Sequence, residues 1–172
     1  TKSVIERGVL STNRPTAISQ TTQTGSEDTV ILSLYVYWEK DLFETLICVF
    51  EDLKTAAQNG EHDKDNLTLD GKLFLVGPTG HKSTGPMYRW RLLCDGVTIS
   101  IARQHEPQKE VPNVLVHVGS LYLMKNGGLL NAWPDIQAML AVFGGRIEAV
   151  KLSRLDGCVD LADIDVVEYV RR

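Results

Sequence analysis

Residues 87–103 read MYRWRLLCDGVTISIAR, two runs rich in β-branched and aromatic residues joined by Asp95-Gly96. A two-residue Asp-Gly link tolerates the positive backbone angles of a type I′ turn, whose twist matches that of paired strands, so this stretch reads as a β-hairpin. Outward from it, KLFLV (72–76) and VLVHVGSLYLM (114–124) read as further strands, the second with Gly119 as a bulge or kink. VILSLYVYW (30–38) is a fifth β-rich run, and a last strand covers about 147–160. Two segments carry helical periodicity instead. In DLFETLICVFEDLKTAAQNG (41–60), Asp41 stands where an N-cap belongs, Leu42, Leu46, Val49, Phe50 and Leu53 share a face, and Gly60 is a stop. Asn131-Ala132-Trp133-Pro134-Asp135 opens the other, with Pro134 in the first turn, and it runs through Ile136, Met139, Leu140 and Phe143 to Gly144-Gly145.

The remainder is connection. EHDKDNLTLDG (61–71) is a charged link, QHEPQKEVPN (104–113) a loop, and DIDVVEYVRR (163–172) a candidate third helix. Residues 1–28, rich in Ser, Thr and Gln without apolar period, are expected to be a flexible arm, with one domain over 29–172. The order predicts an α+β fold: an antiparallel sheet with two main helices packed on one face.

The 172 residues, 43% hydrophobic and 23% charged, suffice for one core without a disulfide or metal staple. Val30–Trp38, the longest apolar stretch, is too short for a membrane span, and no charged-then-apolar leader follows Thr1. Cys48, Cys94 and Cys158 form no CxxC pair and no zinc cluster; they are expected to be reduced, mostly buried thiols of a cytoplasmic protein. The net charge of −4 argues against a nonspecific nucleic-acid coat. Yet Lys72, Lys82, Arg89, Arg91 and Arg103 face only Asp95 between Gly71 and His105, a local +4 that suits an anionic partner.

Four motifs bear on chemistry. FLVGPTGHKSTG (74–85) suggests a phosphate-binding loop, but His81 stands before Lys82 where that motif needs Gly, and a strand-like run follows instead of a helix. A metal-binding His-hydrophobic-His strand fails too, because His117 has Leu115 and Gly119 two residues away. In Tyr88-Arg89-Trp90-Arg91, alternation predicts both arginines on one face of a strand, where with Lys82 and Arg103 they would grip DNA phosphates; a half-buried strand with an arginine-bearing outer face is the plain structural alternative. In VKLSRLDGCVDL (150–161), alternation aligns Arg154, Asp156 and Asp160 on a face that begins apolar. Carboxylates so placed suit Mg²⁺ or Mn²⁺, and a strand leaving the core with Arg154 and Asp156 paired at its rim is the alternative.

SRLDGCVDL (153–161) resembles the R-x-D-x-x-x-D signature of the rolling-circle replication initiation factors of plasmids, phages and integrated elements. GPMYRWRLLCDGVTISIA, VLVHVGSLYLM and WPDIQAMLAVFGGRIEAVKLSRLD are similar to that family's preceding elements, so the resemblance covers about residues 30–161. It implies an origin-binding endonuclease and strand-transferase that nicks DNA with a tyrosine hydroxyl and a divalent metal, Mg²⁺ or Mn²⁺. By position it implies Arg154 and Asp156 as catalytic residues and Asp156 and Asp160 as metal ligands. Because four residues of straight strand span about 13 Å, either Gly157 bends the strand or Asp156 alone is a ligand, with Asp160 or Asp163 capping a following helix. No nucleophile is carried over: Tyr169 lacks the family's Gly and Ser context, and Tyr35, Tyr37, Tyr88 and Tyr122 read as sheet residues. The chain is then expected to be the N-terminal portion of an initiator, acting on origin DNA, with a host helicase and a second copy of itself as further candidate partners and no membrane. A non-catalytic DNA- or protein-binding module of the same fold is the rival expectation.

Overall fold

The structure, a computed structural model, describes residues 23–81, 88–108 and 111–161, of which 23–27 and 158–161 are described as backbone. Ten elements follow one another: β1 (Gln23–Trp38), α1 (Lys40–Asn59), β2 (Asn66–Leu69), β3 (Lys72–Val76), β4 (Tyr88–Cys94), β5 (Val97–Ala102), β6 (Val114–Val118), α2 (Ser120–Asn126), α3 (Leu129–Ala141) and β7 (Gly145–Leu161). The fold is α+β, with a seven-stranded antiparallel sheet in the order β2-β3-β4-β5-β6-β1-β7. Residues 26–158 form one compact unit, described below; of the second, residues 1–25 and 159–172, only the ends of β1 and β7 are described.

The sheet is built on two hairpins with the same turn. Asp95 and Gly96 take φ of 45° and 86° between β4 and β5, as the Asp-Gly dipeptide predicts, and Asp70 and Gly71 repeat this at 48° and 73° between β2 and β3. The link expected over 61–71 therefore contains a short strand, β2, paired Thr68 to Leu73 and Leu69 to Lys72.

Alternate residues of these strands close one core. Val30, Leu32, Leu34, Val36 and Trp38 of β1 join Phe74 and Val76 of β3, Trp90 and Leu92 of β4, Val97, Ile99 and Ile101 of β5, and Val114, Val116 and Val118 of β6. All three described helices bury side chains in this cluster: Phe43, Leu46 and Phe50 from α1, Tyr122 and Leu123 from α2, Ala132, Ile136, Met139 and Leu140 from α3. Aromatic contacts bind the layers. Trp38 stacks on Phe43 at 5.3 Å, and Phe143 meets Phe50 and Phe74 edge-on at 5.6 and 4.8 Å.

Several elements differ from expectation for local reasons. α1 starts at Lys40 with Glu39 as N-cap, so Asp41 sits in the first turn, and the buried face begins at Phe43 while Leu42 is exposed. Gly60 ends the helix in the left-handed region as expected, at φ 76°. The run 114–124 is not one strand: β6 stops at Val118, and extended Gly119 opens α2, which buries Tyr122 and Leu123 and ends at left-handed Gly127. Among the described residues there are thus three helices where two main ones were expected. α3 begins at Leu129 behind Gly128, so Pro134 lies inside it rather than in its first turn. The proline withholds one hydrogen bond from the carbonyl of Leu130, a residue that faces solvent. β1 starts at Gln23, six residues before Thr29, the expected start of the fold. Residues 23–28 of the arm expected over 1–28 thus belong to β1; its residues 1–22 and the third helix expected over 163–172 lie outside the described residues.

Two polar groups tie the layers together. The amide of Asn113, fully buried, accepts from the backbone N–H of Val36 at 2.9 Å and donates to the Val36 carbonyl at 2.7 Å, mimicking a strand partner. Asp135 of α3 receives the Lys72 ammonium of β3 at 2.6 Å and the Tyr122 hydroxyl of α2. Lys72, first, and Tyr122 hold its carboxyl below the usual range, while burial pushes the Tyr122 phenol up.

Candidate nucleic-acid interface

The other side of the sheet follows from the same registers. One row runs Leu75, Leu93, Thr98, His117, Ile31. The next runs Arg91, Ser100, Leu115, Ser33, and continues to Ser153 of β7, whose hydroxyl lies 2.6 Å from that of Ser33. Leu73, Leu75 and His117 are exposed, so this is the more open side of the sheet, although Ser33 and Ser100 in its middle are buried.

Along β1 the open side carries Tyr35 and Tyr37, alternate to Leu34, Val36 and Trp38. The Lys151 ammonium lies 5.2 Å from the Tyr35 ring centroid, and the Arg146 guanidinium 5.7 Å from that of Tyr37. Arg146 also reaches Glu148 at 2.8 Å. This cation-backed pair of tyrosines lay in the alternation of LSLYVYW, but the cations come from β7, more than a hundred residues later, and no local pattern announces them.

The sequence-predicted DNA contacts separate. Tyr88 pairs with Ala102 and Trp90 with Ile101, so Arg89 is an extra residue in a β-bulge. The bulge breaks the alternation that would place Arg89 beside Arg91. Arg89 instead turns to α1 and grips both oxygens of Glu51, which holds that carboxyl below its usual range, while Trp90 packs against Phe50. Arg91 stays on the open side opposite Ser100, its Nε 3.1 Å from where a side chain at Gly77 would begin, so Gly77 leaves the room it occupies. Among the described residues Arg91 makes no ion pair, and its Nε is buried without a hydrogen-bond partner. Arg103 is exposed in the bend after β5, and Lys82 lies outside the described residues. β4, which begins at Tyr88, is a strand and not the helix that a phosphate-binding loop would open; residues 82–87 before it lie outside the described residues.

The signature residues are arranged as the structural alternative has them. Arg154 donates from Nε to Asp156 Oδ1 at 3.0 Å and from its terminal nitrogen to Oδ2 at 2.8 Å, a two-pronged pair on an exposed strand. Alternation past Ser153 turns this pair to the side of β7 away from Lys151. Asp160 is described as backbone, and Asp163 and Tyr169 lie outside the described residues. The resemblance implies Mg²⁺ or Mn²⁺, hard cations that surround themselves with oxygen ligands. Among the described residues no three His, Cys, Asp or Glu side chains converge, and Arg154 already occupies both Asp156 oxygens. These residues alone do not fit such an ion, and no step is routed through one. Burial raises the phenols of Tyr88 and Tyr122 rather than lowering them, which suits packing and not attack. Tyr122 belongs to a helix rather than to the sheet. Of the thiols, expected to be mostly buried, Cys94 is buried and raised by that burial, whereas Cys48 is exposed on α1. No described helix is long and apolar enough to cross a membrane. Comparison of the chain with protein-family models, with curated proteins and with solved structures finds no match.

Proposed function

We propose that this chain is the DNA-binding portion of a rolling-circle replication initiator, holding an origin strand on the open side of its sheet. The observation that carries the reading is the pair Tyr35 and Tyr37 with Lys151 and Arg146 over their rings. Aromatic rings stack on any base, and cations beside them meet the phosphates, the combination that binds unpaired strands. Arg91, without a carboxylate partner among the described residues, extends the cationic track along the same side. The R-x-D-x-x-x-D pattern of Arg154, Asp156 and Asp160 on β7, the strand that also supplies Lys151, supports the family reading. A second reading, a non-catalytic binding module of the same fold, is favoured by the closed Arg154–Asp156 pair.

Anisotropy of a labelled single-stranded oligonucleotide tests the binding claim. Tyr37→Ala should weaken binding by about 1–3 kcal/mol, the usual worth of one stacked base. Lys151→Ala should lower the slope of log affinity against log salt by about 0.7. Unchanged affinity and slope in both variants would overturn the interface. Melting with and without Mn²⁺ separates the two readings: stabilisation of the wild type that Asp156→Asn abolishes supports the initiator, and no stabilisation supports the binding module.

A further inference from the structure

On the open side, three and four strands across from the tyrosines, Leu93 of β4 and Leu73 and Leu75 of β3 line a hollow of about 690 Å³. Thr98 borders it on β5, and Gly71 and Asp95-Gly96 of the two turns close its lower end. Single exposed leucines are ordinary, but these three lie on adjoining strands, with Leu75 directly opposite Leu93, and are exposed by 52, 45 and 36%. The charges at the turn end are answered: Lys72 by Asp135, and Asp95 by Lys125. At the other end stands Arg91, two residues before Leu93 on the same side of β4. Its Nε lies 3.1 Å from where a side chain at Gly77 would begin, two residues beyond Leu75. Arg91 is half-buried, makes no ion pair among the described residues and leaves that Nε without a hydrogen-bond partner. A cation partly stripped of water and left uncompensated is costly, and an anion relieves the cost. An apolar floor with one unanswered cation at its end fits a ligand with an apolar face and an anionic group beside it.

We propose that this hollow is a nucleotide subsite separate from the tyrosines, in which one base lies on Leu75 and Leu93 and its phosphate meets Arg91. Base faces pack on apolar side chains as well as on aromatic ones, and the planar guanidinium fork matches phosphate oxygens. The row Arg91, Ser100, Leu115, Ser33 sets the span to the tyrosines: three strands across and two residues along to Tyr35. At ordinary strand spacing and rise this is about 16 Å. A strand crossing both sites therefore needs several nucleotides, within the range of about 4–16 that such grooves cover. The inference rests on the DNA reading for the class of its ligand. It adds a place where one nucleotide is held by its base as well as its phosphate, on residues that the tyrosine interface does not use.

Methyl NMR during titration with deoxyadenosine monophosphate should show saturable shifts at Leu73, Leu75 and Leu93. Deoxyadenosine, which lacks the phosphate, should bind at least about tenfold more weakly, and Arg91→Ala should abolish that difference. Leu75→Ser combined with Leu93→Ser should weaken mononucleotide binding at least about fivefold, while Leu121→Ser, at a still more exposed leucine of α2, should leave it unchanged. Tyr37→Ala should bind the mononucleotide as the wild type does. The double serine variant should also lose at least about fivefold in affinity for an unpaired oligomer of about ten nucleotides. No saturable shift at the three leucines, equal affinity with and without the phosphate, a double serine variant that binds like wild type, or octanoate binding the same methyls more tightly than the mononucleotide would overturn the proposal. The two readings fail separately. Mononucleotide binding in the hollow, with oligomer affinity indifferent to Tyr37→Ala, removes the tyrosine interface and keeps the subsite. Oligomer binding that depends on Tyr37 but not on Leu75 and Leu93 removes the subsite alone.

Discussion

Along β1, Leu32, Leu34 and Val36 are sealed in the core, while Ser33, Tyr35 and Tyr37 between them meet β7 through a hydroxyl contact and two ring–cation contacts. The two sides of the sheet share every backbone hydrogen bond and differ in what their side chains answer to. The sealed side is held by area: many apolar contacts, each weak and non-directional, summed over one cluster. The open side is held by specific pairs, each worth little to stability in solvent. Loss on one side should therefore show in folding, and loss on the other in binding.

The sharpest break in this comparison is Trp90→Ala. Trp90 is fully buried against Phe50, so its loss should cost about 3–5 kcal/mol in urea unfolding, while the molecules that remain folded bind oligonucleotide as before. A smaller effect separates two arginines two residues apart. Arg91→Ala should reduce oligonucleotide affinity several-fold and lower the salt slope by about 0.7, whereas Arg89→Ala should leave both unchanged and cost at most about 1 kcal/mol of stability, since its pair with Glu51 is half exposed. Equal loss of affinity in the two variants would show that the bulge does not divide them.

The smallest effect concerns pH. Asp135 has its carboxyl held low by Lys72 and Tyr122, so its contribution is fully present above the ordinary aspartate range near pH 4 and is lost as pH falls through the lower folded value. Asp135→Asn should therefore be less stable than wild type above about pH 4, by about 1 kcal/mol, with the gap closing in acid. Urea midpoints of both chains from pH 7 down to about pH 3 check the sign.

Legibility followed the range of the interactions. The Asp95-Gly96 hairpin, the Gly60 stop and the α+β order were readable because turn angles and alternation are local. The identical Asp70-Gly71 turn was passed over because its first strand, NLTL, is four residues long and sits behind the charged run 61–65. Arg89 was misplaced because alternation holds only while two strands advance in step, and an extra residue in β4 reverses every facing before it. The run 114–124 misled because an apolar stretch fits a strand or a helix, and the left-handed glycine behind Asn126 decides only once Tyr122 and Leu123 have a core to enter.

By itself the sequence determined most of the elements, their antiparallel class and the candidate charges, since backbone sterics and hydrophobic period act within a few residues. Which partners the distant charges meet was decided by the tertiary structure. Glu51 reaches Arg89 from another element, and Lys151 and Arg146 come to the tyrosines from a strand more than a hundred positions away. A charged side chain's role depends on its nearest partner in space, and chain folding sets that distance.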